Sequence, residues 1–237
     1  MAGQFQDQVV VITGAAGNLG SAVAKRFAAD EAKLVLLDRH ADRLEALAAE
    51  LKVEALTLTA DLNDVQAVDD AVKQIEARFG TINVLAHTVG GFASGSPVHE
   101  SEIDLLDKLY NLNVRPIYIV CGRVARHMVE RKGGGKIIVV LAKSALKGQA
   151  KAAAYTASKA AAQRLMESMA LELRDKGINV NGVLPSTIDT PANREDMPKA
   201  DFSKWVTPAQ LADAIAFLAS DAAGAVHGAS LEVYGRA

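Results

Sequence analysis

"VVVITGAAGNLGSAVAKRFA", residues 9–28, decides how this chain folds. Five β-branched residues run into a turn carrying Gly14, Gly17 and Gly20, and then into the spacing of an amphipathic helix. A strand that is apolar throughout, rather than alternating, is covered on both faces, as strands of parallel sheets are. A glycine turn leading into a helix lets backbone approach a pyrophosphate. The helix start then offers unpaired N–H groups and the positive end of its dipole. Gly14, Gly17, Asn18, Leu19 and Gly20 are therefore the expected phosphate-holding residues. Asn18 tolerates a left-handed backbone, so it is no obstacle to binding in such a turn.

The remaining sequence repeats the alternation. Strands are predicted at 33–38, 54–60, 82–88, 136–142, 178–185 and 230–235, and helices at 18–30, 41–51, 64–79, 101–132, 151–175 and 208–219. Thr207 and Pro208 read as the N-cap and first turn of the last helix. The prediction is one domain over 1–237, a Rossmann-type, doubly wound parallel sheet of about seven strands with helices on both faces. Only 186–206 lacks periodicity. A loop of that length in a compact domain is usually functional, so it is the expected substrate loop, closing over the substrate.

Composition removes several function classes. A net charge of −2 without a basic run gives no electrostatic reason to expect nucleic acid. Cys121 is the only cysteine, which excludes disulfides and cysteine-based zinc sites, and no metal is expected. The opening "MAGQFQDQVVVITGAAG" lacks a charged region followed by an apolar one, and no apolar run approaches the roughly 20 residues of a bilayer span. A soluble, cytoplasmic protein without membrane contacts is the expectation.

Asp38 ends the second strand about twenty residues after the glycines, where a carboxylate accepts hydrogen bonds from ribose hydroxyls and repels a 2′-phosphate. NAD(H) is favoured over NADP(H), although the Arg39 guanidinium beside it keeps NADP(H) possible. Asp61, followed by Leu62, reads either as an acceptor for the adenine amino group or as the cap of the helix starting near 64.

Tyr155 and Lys159 lie four residues apart, on one helix face. A phenol is a poor base at neutral pH, and lowering its pKa by about 3 units takes roughly 4 kcal/mol. An ammonium about 4 Å away, at an effective dielectric near 20, supplies that order of energy. The pair is thus expected to transfer protons, with Tyr155 tuned downward by Lys159.

Taken together, these motifs resemble the short-chain dehydrogenase/reductase family along essentially the whole chain. Thr13, Gly14 and Gly20 match its T-G-x-x-x-G-x-G motif, with the middle glycine moved to Gly17. "HTVG", His87 to Gly90, stands where the family has N-N-A-G, and Asn113 matches its relay asparagine. The family serine lies thirteen residues before the tyrosine, and here that position is Ala142, with Ser144 two residues displaced.

The resemblance implies catalytic roles for Asn113, Tyr155 and Lys159. It implies cofactor contacts at Gly90, Pro185, Ile188 and Thr190, and a homodimer or homotetramer. The missing serine, Ala142–Lys143 and "LPSTIDTPANREDMPKADFSKW" (184–205) resemble the quinonoid dihydropteridine reductase subgroup.

A quinonoid dihydropterin takes hydride into a conjugated ring and its proton on nitrogen, which needs no second hydroxyl. Lys143 reads as a substrate contact or a solvated residue. Phe92 and Trp205 read as covers for a flat ring or as packing for the loop. His87, without a partnering carboxylate, reads as a packed histidine. The expected activity is NADH-dependent reduction of such an acceptor, with Tyr155 as proton donor. Two alternatives stay open: a general carbonyl or alcohol oxidoreductase using Ser144 or a water, and a non-catalytic NAD-binding redox sensor.

Overall fold

The computed structural model describes residues 3–236. Strands β1 (Val9–Thr13), β2 (Lys33–Asp38), β3 (Ala55–Thr59), β4 (Val84–His87), β5 (Gly135–Val140), β6 (Ile178–Pro185) and β7 (Ser230–Val233) form one sheet in the order β3-β2-β1-β4-β5-β6-β7. Every pairing is parallel. The helices are α1 (Asn18–Ala29), α2 (Ala41–Leu51), α3 (Val65–Phe79), α4 (Ile103–Asn113), α5 (Arg115–Arg131), α6 (Ala153–Leu173), α7 (Pro191–Asp196) and α8 (Pro208–Ala219). Strand order reverses between β1 and β4. In open α/β sheets that is where a crevice opens at the carboxyl ends of the strands.

Strand periodicity divides the core in two. Val10, Ile12, Leu34, Leu36, Val84 and Ala86 pack under α1, α2 and α8. Val9, Val11, Val35, Leu37, Leu85, Ile137 and Val139 face the opposite way, under α3, α5 and α6. Side chains alternate along a strand, so Thr13, two residues after Val11, and His87, two after Leu85, fall on the α5–α6 side. This parity places the polar tips of β1 and β4 beneath α6. Among the described residues no helix is long and apolar enough to cross a membrane.

Three expectations change. The helix expected over 101–132 is two helices broken at Val114 (φ −117°, ψ −55°). Pro116 lacks an N–H and its ring collides with the carbonyl four residues back, so α5 starts afresh there. The loop 186–206 contains α7, capped by the Thr190 hydroxyl accepting from the Asn193 N–H, and a 3₁₀ turn at Phe202–Lys204. A parallel bridge between Ile188 and Val206 ties its ends together. Finally, Asn18 is not left-handed. It is the first residue of α1, and the positive φ of the turn falls on Gly14 (+68°).

Candidate active site

The glycine turn is built by close backbone approach. A β-carbon on Gly20 would lie 2.1 Å from the Gly14 carbonyl oxygen, so helix and turn touch through bare backbone. Gly17 is the N-cap of α1 and its position carries no side-chain capping bond, which leaves the first N–H groups, including those of Asn18 and Leu19, to face the crevice. That arrangement suits an anionic group.

At the end of β2 the Asp38 carboxylate accepts from the Ala16 N–H (3.2 Å) and the Arg39 N–H (2.7 Å), linking the strand to the turn. His40 sits on the same carboxylate, Nδ1 to Oδ1 2.9 Å. Asp61 accepts from the Asn63 N–H (2.9 Å), while the cap of α3 is Asp64, three residues later than one of its two readings placed it. The Leu62 side chain is buried in the core, leaving its backbone for any contact in the crevice.

Beneath α6 lies a cluster of buried polar groups. Thr13, His87, Asn113, Ser158 and Lys159 are all buried, and no carboxylate is buried among the described residues. Asn113 is a clamp: its Oδ1 accepts from the Gly91 N–H (2.9 Å), and its Nδ2 donates to the Gly91 carbonyl and to Ser158 Oγ (both 3.0 Å). It therefore fixes the chain after β4 against the helix that carries Tyr155. Gly90 makes this packing possible, since a β-carbon there would come 2.9 Å from Lys159 Nζ and 3.0 Å from Asn113 Oδ1. Gly91 and Ser158 are missed from sequence because they belong to this site only once three separate elements converge.

Lys159 Nζ donates to the Val140 carbonyl at 3.4 Å, its one hydrogen bond among the described residues. Burial without a counter-ion lowers its pKa to about 8. Tyr155 is half-buried, with Phe92 edge-on to its ring at 4.8 Å and 83°. Burial pushes its phenol up to about 12, opposite to the expected lowering. In the protein itself burial sets the direction, and the phenol holds its proton.

The remaining candidates divide. Ala142 is buried at the end of β5. Ser144 lies in the short 3₁₀ turn Lys143–Ala145 just beyond, and Lys143 Nζ stands 4.6 Å over the Tyr234 ring. Phe92 is exposed beside Tyr155, whereas Trp205 is buried against Phe202 (4.8 Å), so of its two readings the structure has loop packing. Asn193 Nδ2 donates to the Ile188 carbonyl (2.7 Å), and Arg194 pairs bidentately with Asp189 (2.5 and 2.7 Å), which fixes the chain after Pro185. Among the described residues no group of three or more His, Cys, Asp or Glu side chains is arranged to hold a metal.

A parallel sheet with its switch point beside a glycine turn, an acid ending β2 and a Tyr–Lys pair across the crevice defines a dinucleotide-binding α/β oxidoreductase fold. The chain belongs to the short chain dehydrogenase family, which it matches over residues 8–201. It is 32% identical to 2-(R)-hydroxypropyl-CoM dehydrogenase of Xanthobacter autotrophicus, over 96% of this chain and 97% of that one. It is 35% identical to L-rhamnose 1-dehydrogenase (NAD(P)(+)) of Azotobacter vinelandii, over 97% and 96%. The crystal structure of NAD+-bound xylitol dehydrogenase superposes with a TM-score of 0.92 at 27% identity, over 98% of this chain and 99% of that one.

Proposed function

We propose that this protein is an NAD(H)-dependent reductase acting on a flat, conjugated acceptor of the quinonoid dihydropterin kind. The cradle fits the cofactor. Gly14, Gly17 and Gly20 leave room for a pyrophosphate against bare backbone, the start of α1 faces it, and Asp38 stands where a ribose would lie. A nicotinamide dinucleotide bound there supplies hydride to the substrate. Tyr155 supplies the proton from its phenolic oxygen, Lys159 holds positive charge beneath it, and Asn113 fixes the floor of the site through Gly91 and Ser158.

The observation that carries the substrate class is Ala142. Ala142, two residues past the end of β5, brings a methyl group and not a hydroxyl to the start of the 3₁₀ turn that packs against α6. A carbonyl reductase stabilises a developing alkoxide with more than one donor. An acceptor protonated on nitrogen needs one. Phe92, exposed and edge-on to Tyr155, adds an aromatic surface for a planar ring.

A second reading is favoured by the relatives, whose names describe dehydrogenases of hydroxyl-bearing substrates. In it a secondary alcohol or its ketone turns over, with Ser144 or a water as second donor. Steady-state NADH oxidation with freshly generated quinonoid dihydropterin, beside a panel of ketones and polyols, separates the two. Rapid pterin reduction is expected; ketone or polyol turnover with pterin inactivity overturns the first reading in favour of the second.

Cofactor choice has its own test. Asp38→Ser removes the carboxylate that repels a 2′-phosphate while Arg39 stays. Hydrogen bonds to charged groups contribute about 1.5–3 kcal/mol. The ratio of NADPH to NADH affinity is therefore expected to rise at least about tenfold, measured by fluorescence titration. An unchanged ratio would remove Asp38 from this role.

A further inference from the structure

Two buried groups of the polar cluster are left under-satisfied. The Lys159 ammonium has three donors and one long hydrogen bond, and no carboxylate is buried anywhere among the described residues to balance it. His87 is fully buried; Thr13 Oγ1 lies 3.0 Å from its Nδ1, and its Nε2 has no hydrogen-bond partner among the described residues. Both lie on the α6 side of the sheet, at the carboxyl ends of neighbouring strands. Lys159 reaches the carbonyl of Val140 on β5, and β4 pairs His87 with Val139 of that same strand. An ammonium lacking acceptors and an imidazole nitrogen lacking a partner complement each other.

We propose that His87 is a positioning residue for Lys159: its ring presents the bare Nε2 lone pair to the buried ammonium, directly or through one water, and keeps it charged and seated under Gly90. The step rests on the reading that Tyr155 and Lys159 form the working pair. The tautomer follows from electrostatics. With Nδ1–H donating to Thr13 Oγ1, the unpaired lone pair at Nε2 meets positive charge, whereas the other tautomer would bury an unpaired N–H beside it.

The surroundings add no competing charge. β1 offers the Thr13 hydroxyl, β5 the apolar Val139, and α4 the neutral Asn113 amide, whose two N–H donors are both engaged and whose oxygen accepts from Gly91. α6 brings Ser158, Tyr155 and Lys159. The buried titratable groups of α5 are His127 and Cys121, the latter a thiol that burial pushes up to about 12. Lys159 is the charge that acts on His87, and with burial it holds the ring neutral, down to about 3.

The test reads Lys159 directly, without substrate or cofactor, so it stands apart from the pterin assay. Lysine-selective ¹³Cε NMR, with the resonance assigned by its loss in Lys159→Met, gives the titration midpoint in wild type, His87→Leu and His87→Gln. Removing the acceptor destabilises the ammonium, so the His87→Leu midpoint is expected to fall by about one pH unit. His87→Gln, which retains a neutral acceptor, recovers most of the shift. An unmoved midpoint in folded His87→Leu, or Gln behaving as Leu, overturns the proposal. Histidine ¹⁵N NMR of the wild type decides the matter even if the leucine variant does not fold. A bare, neutral Nε2 at pH 6 is expected, and a protonated one overturns the proposal.

Discussion

Tyr155→Phe is expected to bind NADH as wild type does and to lose about 10²–10⁴-fold in turnover, the range general acid catalysis supplies. The substitution removes one oxygen and keeps the ring that packs edge-on against Phe92 at 4.8 Å, so the fold has no reason to respond. What disappears is the phenolic proton that α6 presents at the crevice. Ala142 offers no substitute, and Ser144 belongs to a turn further along.

The pH dependence follows from the same site. The phenol, pushed up to about 12, keeps its proton at neutral pH, whereas the ammonium is lost above about 8. The reduction rate should therefore hold steady below pH 8 and decline above it, as Lys159 deprotonates. Turnover surviving in Tyr155→Phe would mean that another group delivers the proton, and would end the proposed mechanism.

Lys159→Met should be inactive and yet more stable. Lys159 carries a pKa of about 8 in the folded protein against 10.5 unfolded. At pH 7 both states hold the proton, so folding buries an ammonium, at a cost of up to about 3 kcal/mol by linkage. Between pH 8 and 10.5 the unfolded chain binds more protons than the folded one, and wild-type stability rises with pH relative to the variant. Methionine fills the same stem without the charge. Its advantage is therefore largest below pH 8 and vanishes above about 10.5. For a chain of this size it amounts to several degrees in Tm. Thermal melts at pH 7 and at pH 10.5 measure it. A variant no more stable than wild type at pH 7 would show that Lys159 bears no such burial cost.

Some of this site is legible without coordinates because it rests on local rules. Residues 9–28 carry a strand, a turn and a helix start in one stretch, and each is set by neighbours in sequence. β1, β2, β6, α2 and α8 accordingly lie where periodicity puts them. Elsewhere local pattern was overridden. Apolar spacing ran unbroken through 101–132, and Pro116 broke it. The stretch 186–206 showed no period, yet Thr190 caps a short helix within it and the Ile188–Val206 bridge closes it.

Sequence by itself determined the parallel sheet, the glycine cradle, the acid after β2 and the Tyr155–Lys159 pair, because periodicity and i, i+4 spacing act within one element. It could not show that Asn113, Gly91 and Ser158 form one clamp, that His40 sits on Asp38, or that His87 shares a buried cluster with Lys159. Nor could it give the direction in which Tyr155 shifts. Spacing sets the nearness of two side chains on a helix, but a pKa depends on how much water the rest of the fold removes, and that is decided only when β4, β5, α4 and α6 close around the site.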